Sequence, residues 1–203
     1  MDSNHSNKTL ASFYTGHARR SRLLMAHLLQ VLLDTRNLEI PYTPALERLL
    51  ISAAFHHDLG KLAVPQYLLQ KPGKLTAEEF EIVKSHTWLG EKLAGIYLHG
   101  SPEEQEVLKI VCRHHHERWD GKGYPDGLSG QEIPYPARLM AVVDVYDALT
   151  HERPYKPAYD PADARRILEA GTGTQFDPVV VQTFLRLVNH DISRNLIPKV
   201  KTG

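Results

Sequence analysis

Apolar residues recur at helical spacing along almost the whole chain, and the alternating β-branched stretches and Asn-Gly turns that build sheets are missing. An all-α fold follows. Start signals divide the pattern into segments. Thr76-Ala77-Glu78-Glu79 and Ser101-Pro102-Glu103-Glu104 each carry a hydroxyl cap with Glu three residues later, and Asp160-Pro161 and Asp177-Pro178 put a carboxylate before a helix-opening proline. These signals and the apolar stripes predict helices near 10–34, 44–58, 76–84, 86–98, 102–116, 135–150, 160–170 and 178–190. Residues 117–134 are rich in glycine and proline and read as a long ordered loop, a length that usually serves function. The expected organisation is a polar leader over 1–9, one catalytic domain over 10–190 and a tail over 191–203.

The 203 residues suit one domain with one sizeable core. Lys and Arg total 24, as do Asp and Glu, so no net field draws the protein to a nucleic-acid polymer or an anionic membrane. No apolar run approaches the ~20 residues of a membrane span, and the start is too polar for a signal peptide. A cytoplasmic protein is expected. Cys112 is the single cysteine, which excludes an internal disulfide and reads as a small core residue.

The 12 histidines differ in where they point. Leu46, Leu49, Leu50 and Ala53 mark the apolar face of the second predicted helix, and His57, eleven residues after Leu46, returns to within roughly 20° of it. His17 stands in the same relation to Leu24, Leu28 and Val31, and His115 to Leu108, Val111 and Cys112. Three helices thus aim an imidazole inward, each with acidic neighbours. His5, His27, His56, His99, His114, His151 and His190 fall off these faces or in expected loops and read as surface residues. His86 is ambiguous by periodicity. Asp144 and Asp147 share one flank of a helix striped by Leu139, Val142, Val143 and Tyr146, and two like charges there call for a cation.

Imidazole and carboxylate donors without thiolate suit iron, manganese, zinc or nickel in an open catalytic site. The adjacent His57-Asp58 pair fits a binuclear centre, because a carboxylate has an oxygen for each of two metals. Two metals ~4 Å apart activate a shared water and clamp the attacking and leaving oxygens of an in-line displacement at phosphorus. Phosphoester hydrolysis is the chemistry this favours. Lys61, four residues after His57 and so expected one turn along the same helix, can hold a phosphate oxygen, and Arg153 and Lys156 add two cations after the Asp144 helix.

The ordered series of motifs resembles the HD-GYP family of phosphodiesterases, a branch of the HD-domain metal-dependent phosphohydrolases. It runs through Gly16-His17 with Arg20, then Phe55-His56-His57-Asp58-Leu59-Gly60-Lys61, Lys71-Pro72-Gly73-Lys74-Leu75-Thr76 and Lys84-Ser85-His86. It continues through His115-His116-Glu117-Arg118-Trp119-Asp120-Gly121-Lys122-Gly123-Tyr124-Pro125, Asp144-Val145-Tyr146-Asp147, Arg153-Pro154-Tyr155-Lys156 and Gln175-Phe176-Asp177-Pro178, about residues 15–187 in all. The resemblance implies a helical HD-domain bundle with additional C-terminal helices. It implies two divalent ions, iron or manganese first, held by His17, His57, Asp58, His86, His115, His116 and Asp144, with Asp58 bridging. It also implies cyclic di-GMP as substrate, opened to linear pGpG and in some members cleaved on to GMP. Lys61, Arg153 and Lys156 match phosphate-contacting positions, and Asp147 matches a position that supports the site. Gly123, Tyr124 and Pro125 match a loop associated with substrate access and with diguanylate cyclase partners; a homodimer is a further expectation. One position departs: members proposed to hold a third metal carry Glu four residues before the first histidine, where this chain has Phe13. The competing readings are a hydrolase of another cyclic dinucleotide, such as cyclic GMP-AMP, and a module that binds nucleotide or partner without cleavage.

Overall fold

The computed structural model describes residues 3–97, 101–152 and 157–194, with side chains over 16–96, 101–152 and 157–188. Its helices are α1 (Ser3–Asp34), α2 (Pro44–His56), α3 (Gln66–Leu69), α4 (Ala77–Lys84), α5 (His86–Tyr97), α6 (Pro102–His114), α7 (Tyr135–Thr150), α8 (Pro161–Ala170) and α9 (Pro178–Arg194), with 3-10 turns at Leu59–Ala63 and Gly130–Glu132. Among the described residues there is no strand, so the fold is all-α as expected. None of the helices searched is long and apolar enough to cross a membrane.

Helix α7 forms the axis of the core. Its Ala137, Leu139, Met140, Val142, Val143 and Tyr146 are buried, and a helix apolar around so much of its circumference belongs inside a bundle. Helices α1, α6, α8 and α9 pack on it, and α2 reaches the bundle through α1 and α6. Met25, Leu28 and Leu32 of α1, Leu50 and Ala53 of α2, Val111 of α6 and Phe184 of α9 close this core, and Cys112 is buried among them. Each large apolar side chain so buried contributes about 1.5–3 kcal/mol, which makes packing rather than propensity the term that sets how the helices lie.

The predicted helices are all present, with four differences at their ends and between them. The first begins at Ser3 rather than 10 and the last runs to Arg194 rather than 190, so the expected boundaries of leader and tail fall inside helices. The polar Ser3 to Thr9 stretch shows no apolar period, yet contains no helix breaker. Helix α3 is only four residues long, too short for a period to reveal. Most consequential, α2 stops at His56 and the chain turns into the 3-10 segment Leu59–Ala63. Gly60 explains the break: a Cβ there would lie 1.8 Å from the His86 carbonyl oxygen and 2.5 Å from the Gly90 nitrogen. The turn therefore presses directly on the backbone of α5. Lys61 is accordingly not one turn further along α2.

The loop after α6 is organised by Glu117, buried at 3% exposure. Its carboxylate accepts hydrogen bonds from the backbone N–H groups of Asp126 (2.7 Å), Gly127 (3.2 Å) and Leu128 (3.1 Å). Gly123 packs where a Cβ would sit 2.4 Å from the Arg118 nitrogen. The far side is pinned by Trp119 and Asp120 N–H groups donating to Gln175 and Thr174 carbonyls. Beneath it the buried Arg138 guanidinium joins Glu39 to Asp177 and stands under the Trp119 and Tyr135 rings.

Candidate metal centre

Five elements deliver imidazoles and carboxylates to one interior point. His17 comes from the middle of α1, His57 and Asp58 from the residues just past α2, and His86 from the first residue of α5. His115 and His116 follow α6, and Asp144 lies on α7. Ligating atoms of His17, His57 and Asp144 lie within 4.8 Å of one another, as do those of Asp58, His86, His115 and His116. Asp58 stands between the groups. Its Oδ2 is 3.8 Å from His17 Nε2 and 3.6 Å from His57 Nε2, whereas its Oδ1 is 3.6 Å from His86 Nε2 and 3.7 Å from His115 Nε2. The structure thus brings together all seven residues expected to hold metal.

Helix ends determine which nitrogen of each ring faces the centre. His57 Nδ1 donates to the Ala54 carbonyl (2.9 Å), His86 Nδ1 to Val83 (2.7 Å) and His115 Nδ1 to Val111 (2.9 Å). Those carbonyls belong to the last turns of α2, α4 and α6, where acceptor capacity is left for a side-chain donor; the Val111 oxygen takes the His115 backbone N–H (3.2 Å) as well as its ring. With Nδ1 protonated, each Nε2 carries a lone pair directed inward. His86 and His115 then place two lone pairs 3.4 Å apart, opposite Asp58 Oδ1, which is buried and has no hydrogen-bond partner. Three acceptors converging without a proton between them fit a cation.

The electrostatics agree. Burial pushes His57 and His86 down to about 4 and His116 well below its ordinary value, so these rings are neutral near pH 7, the form that ligates metal. Burial would raise the Asp58 and Asp144 carboxyls. The Lys61 ammonium overrules it at Asp58, as the His17 hydrogen bond does at Asp144, and both are held well below the carboxylate range. His17 differs: burial opposes its charge, but Asp144 and Asp147 raise it to about 9. Between His17 Nε2 and His57 Nε2, 3.1 Å apart, a proton can therefore stand where the other group needs a cation.

Asp147 lies behind His17 rather than beside Asp144. Its Oδ2 accepts from His17 Nδ1 at 2.6 Å, and Arg20 grips the same carboxylate with Nε and Nη2 (2.5 and 3.0 Å). The cation that the Asp144-Asp147 flank called for is, on the Asp147 side, Arg20. Lys61 Nζ donates to Asp58 Oδ2 (2.5 Å), at the edge of the centre. Tyr124 stacks on His116 with ring centroids 4.9 Å apart. Gly123 and Pro125 flank it in the same loop. Arg153 and Lys156 lie outside the described residues, as does the side chain of Phe13.

Surface readings held for His27, which is exposed, and His56 is only half-buried and points its Nδ1 at the Ser52 carbonyl. Two others are half-buried as well and stand beside carboxylates. His151 reaches Asp147 Oδ1 at 3.1 Å, and His114 Nδ1 lies 3.3 Å from Asp126. His5, His99 and His190 have no described side chain. Reasoning on the sequence also passed over Glu117, for which its place directly after two histidines was the available signal.

A helical domain that walls in two histidine-aspartate groups sharing one carboxylate has the construction of the metal-dependent HD-domain proteins. The profile of the HD domain family matches residues 8–180. The chain belongs to that family, in its HD-GYP branch. It is 47% identical over 145 residues to a cyclic di-GMP phosphodiesterase of Vibrio cholerae, covering 70% of this chain and 30% of the relative. A probable cyclic di-GMP phosphodiesterase of the same organism is 40% identical over 176 residues, covering 83% of this chain and 39% of the relative. A 3'3'-cGAMP-specific phosphodiesterase of that organism is 36% identical over 168 residues, covering 82% and 32%. The chain spans about a third of the length of these relatives.

Proposed function

We propose that this chain is a phosphodiesterase that opens cyclic di-GMP to linear pGpG, using two divalent ions, in the cytoplasm. The observation that carries the reading is Asp58, whose two oxygens face separate histidine groups. His17, His57 and Asp144 would hold one ion and His86, His115 and His116 the other. Nitrogen and oxygen donors without thiolate favour iron or manganese, and also accept zinc or nickel. Such a pair supplies an activated water and a clamp on the attacking and leaving oxygens. The chain's own groups do the rest. Asp147 and Arg20 hold the His17 ring in one orientation, and Lys61 keeps Asp58 ionised at the edge where a phosphate would arrive. In the same reading Arg153 and Lys156 contact substrate phosphate, a second cleavage to GMP is slower, and the Gly123-Tyr124-Pro125 loop faces diguanylate cyclase domains or a second copy of the chain.

The likeness to a cGAMP-specific relative supports a second reading, in which cyclic GMP-AMP is the preferred substrate. Turnover of cyclic di-GMP, cyclic GMP-AMP and cyclic di-AMP by protein loaded with iron or manganese tests both. The expected result is rapid linearisation of cyclic di-GMP, abolished by chelation. Metal-loaded protein that cleaves none of the three would sink the assignment.

A further inference from the structure

Helix α4 carries an aromatic residue that its packing does not require. None of its eight residues is buried; it is held by the Thr76–Glu79 capping box and by Lys71, which pairs with Glu79. Phe80 on this helix is 44% exposed. Its ring meets that of Tyr124 edge-on, at 6.1 Å and 80°, and Tyr124 in turn lies against His116 at 4.9 Å and 30°. A run of three rings therefore leads from solvent to an imidazole of the candidate metal centre. Lys84, one turn beyond Phe80, holds its ammonium 5.3 Å from the Phe80 centroid and 5.6 Å from that of Tyr124.

We infer that Phe80, Tyr124 and Lys84 form a corner that binds a guanine base of the substrate. The inference rests on the phosphodiesterase reading for its ligand class. His116 covers one face of Tyr124, so the stacking surface open to a base belongs to Phe80, with the Tyr124 ring as the wall of the corner. A base there is separated from the imidazole of His116 by the Tyr124 ring, two centroid steps of 6.1 and 4.9 Å from Phe80. Aromatic side chains bind bases through their π faces without distinguishing them. Discrimination falls to Lys84. Guanine presents two acceptors, O6 and N7, on one edge, whereas adenine presents a donor beside N7. An ammonium has donors only, and pairing with Glu81 (2.5 Å) leaves others available. The corner therefore favours guanine over adenine.

Equilibrium binding of GMP, AMP and ribose 5-phosphate to manganese-loaded protein tests this, with metal content measured for every variant. Native protein should bind GMP more tightly than AMP and AMP more tightly than ribose 5-phosphate. Phe80→Ala should weaken GMP roughly ten-fold, leave ribose 5-phosphate unchanged, and be rescued by Phe80→Trp. Lys84→Gln should bring GMP and AMP together. GMP affinity unchanged in Phe80→Ala, or native protein binding GMP no better than ribose 5-phosphate, would overturn the corner, and an unchanged GMP to AMP ratio in Lys84→Gln would overturn the role of Lys84. Because the readout is binding, protein that cleaves no cyclic dinucleotide but prefers GMP through Phe80 sinks the catalytic reading and upholds the corner. Cyclic di-GMP turnover with a KM unaffected by Phe80→Ala does the reverse.

Discussion

Asp58 and Asp147 are both carboxylates close to His17, yet they stand on opposite sides of it. Asp58 has one oxygen without a hydrogen-bond donor, facing two imidazole lone pairs. Asp147 is saturated by His17, Arg20 and His151. Removing Asp58 takes an oxygen from each histidine group, so Asp58→Ala should abolish hydrolysis and strip most bound metal. His56→Ala, two residues earlier at the end of α2 and turned to the Ser52 carbonyl, should do little. Comparable metal loss in the two variants, by elemental analysis, would show the ligand assignment to be wrong. Asp147→Asn should act more mildly, because an amide can still accept from His17 but carries no charge. Loss of such an orienting partner costs about 10–100-fold in metal affinity. The His17 imidazolium should also titrate nearer its ordinary value of 6.5 in NMR of metal-free protein, and a His17 pKa that stays near 9 would deny Asp147 its role.

At the scale of elements, the helices that carry the centre differ in how they are held. Helices α4 and α6 both open with a complete capping box, Thr76 with Glu79 and Ser101 with Glu104. Helix α6 buries Leu108, Val111 and Cys112, whereas α4 buries nothing. Equal damage to the two caps should therefore have unequal reach. Ser101→Ala should lower global stability by about 1 kcal/mol, read from the urea midpoint. Thr76→Ala should leave that midpoint almost unmoved and instead speed hydrogen exchange within Ala77–Lys84, since opening α4 exposes no core. A midpoint shift of the same size in both would mean that α4 is coupled to the core after all. The ends of α2, α4 and α6 matter more than their middles: the carbonyls of their last turns set the tautomers of His57, His86 and His115.

For the molecule as a whole, the buried rings make metal-free stability depend on pH in both directions. His57 and His86 titrate near 4 when folded and near 6.5 when unfolded, so below pH 6.5 the unfolded chain binds the extra protons. Stability should be complete above that value and fall as pH drops toward 4, by up to roughly 3 kcal/mol per ring at about 1.4 kcal/mol per pKa unit. His17 has the opposite sign. Its folded value near 9 gives stability that is present below pH 6.5 and lost as pH rises to 9. Urea midpoints of chelator-treated protein from pH 4.5 to 9 should pass through a maximum near neutrality. A midpoint still rising between pH 7 and 9 would contradict the His17 assignment. Saturating metal should raise the whole curve, by about 2.7 kcal/mol at a hundred times its Kd.

Helical periodicity, two capping boxes and two Asp-Pro starts were enough to specify an all-α chain and the position of nearly every helix, because these signals act within a few residues. The same periodicity aimed His17, His57 and His115 inward, since all three lie on or directly beside an apolar stripe. His86 and His116 were legible only through the family resemblance, as neither follows from a stripe. Tertiary structure decided what depends on groups distant in the chain. It ended α2 at His56, because Gly60 must press on the α5 backbone, and so placed Lys61 on a separate turn beside Asp58. It turned Asp147 to Arg20 and His151, and it made Glu117 the organiser of the loop. Local pattern shows which way a side chain leaves its own helix. Which atom then meets it is set by how separate helices pack, and that is recorded at no single stretch of the chain.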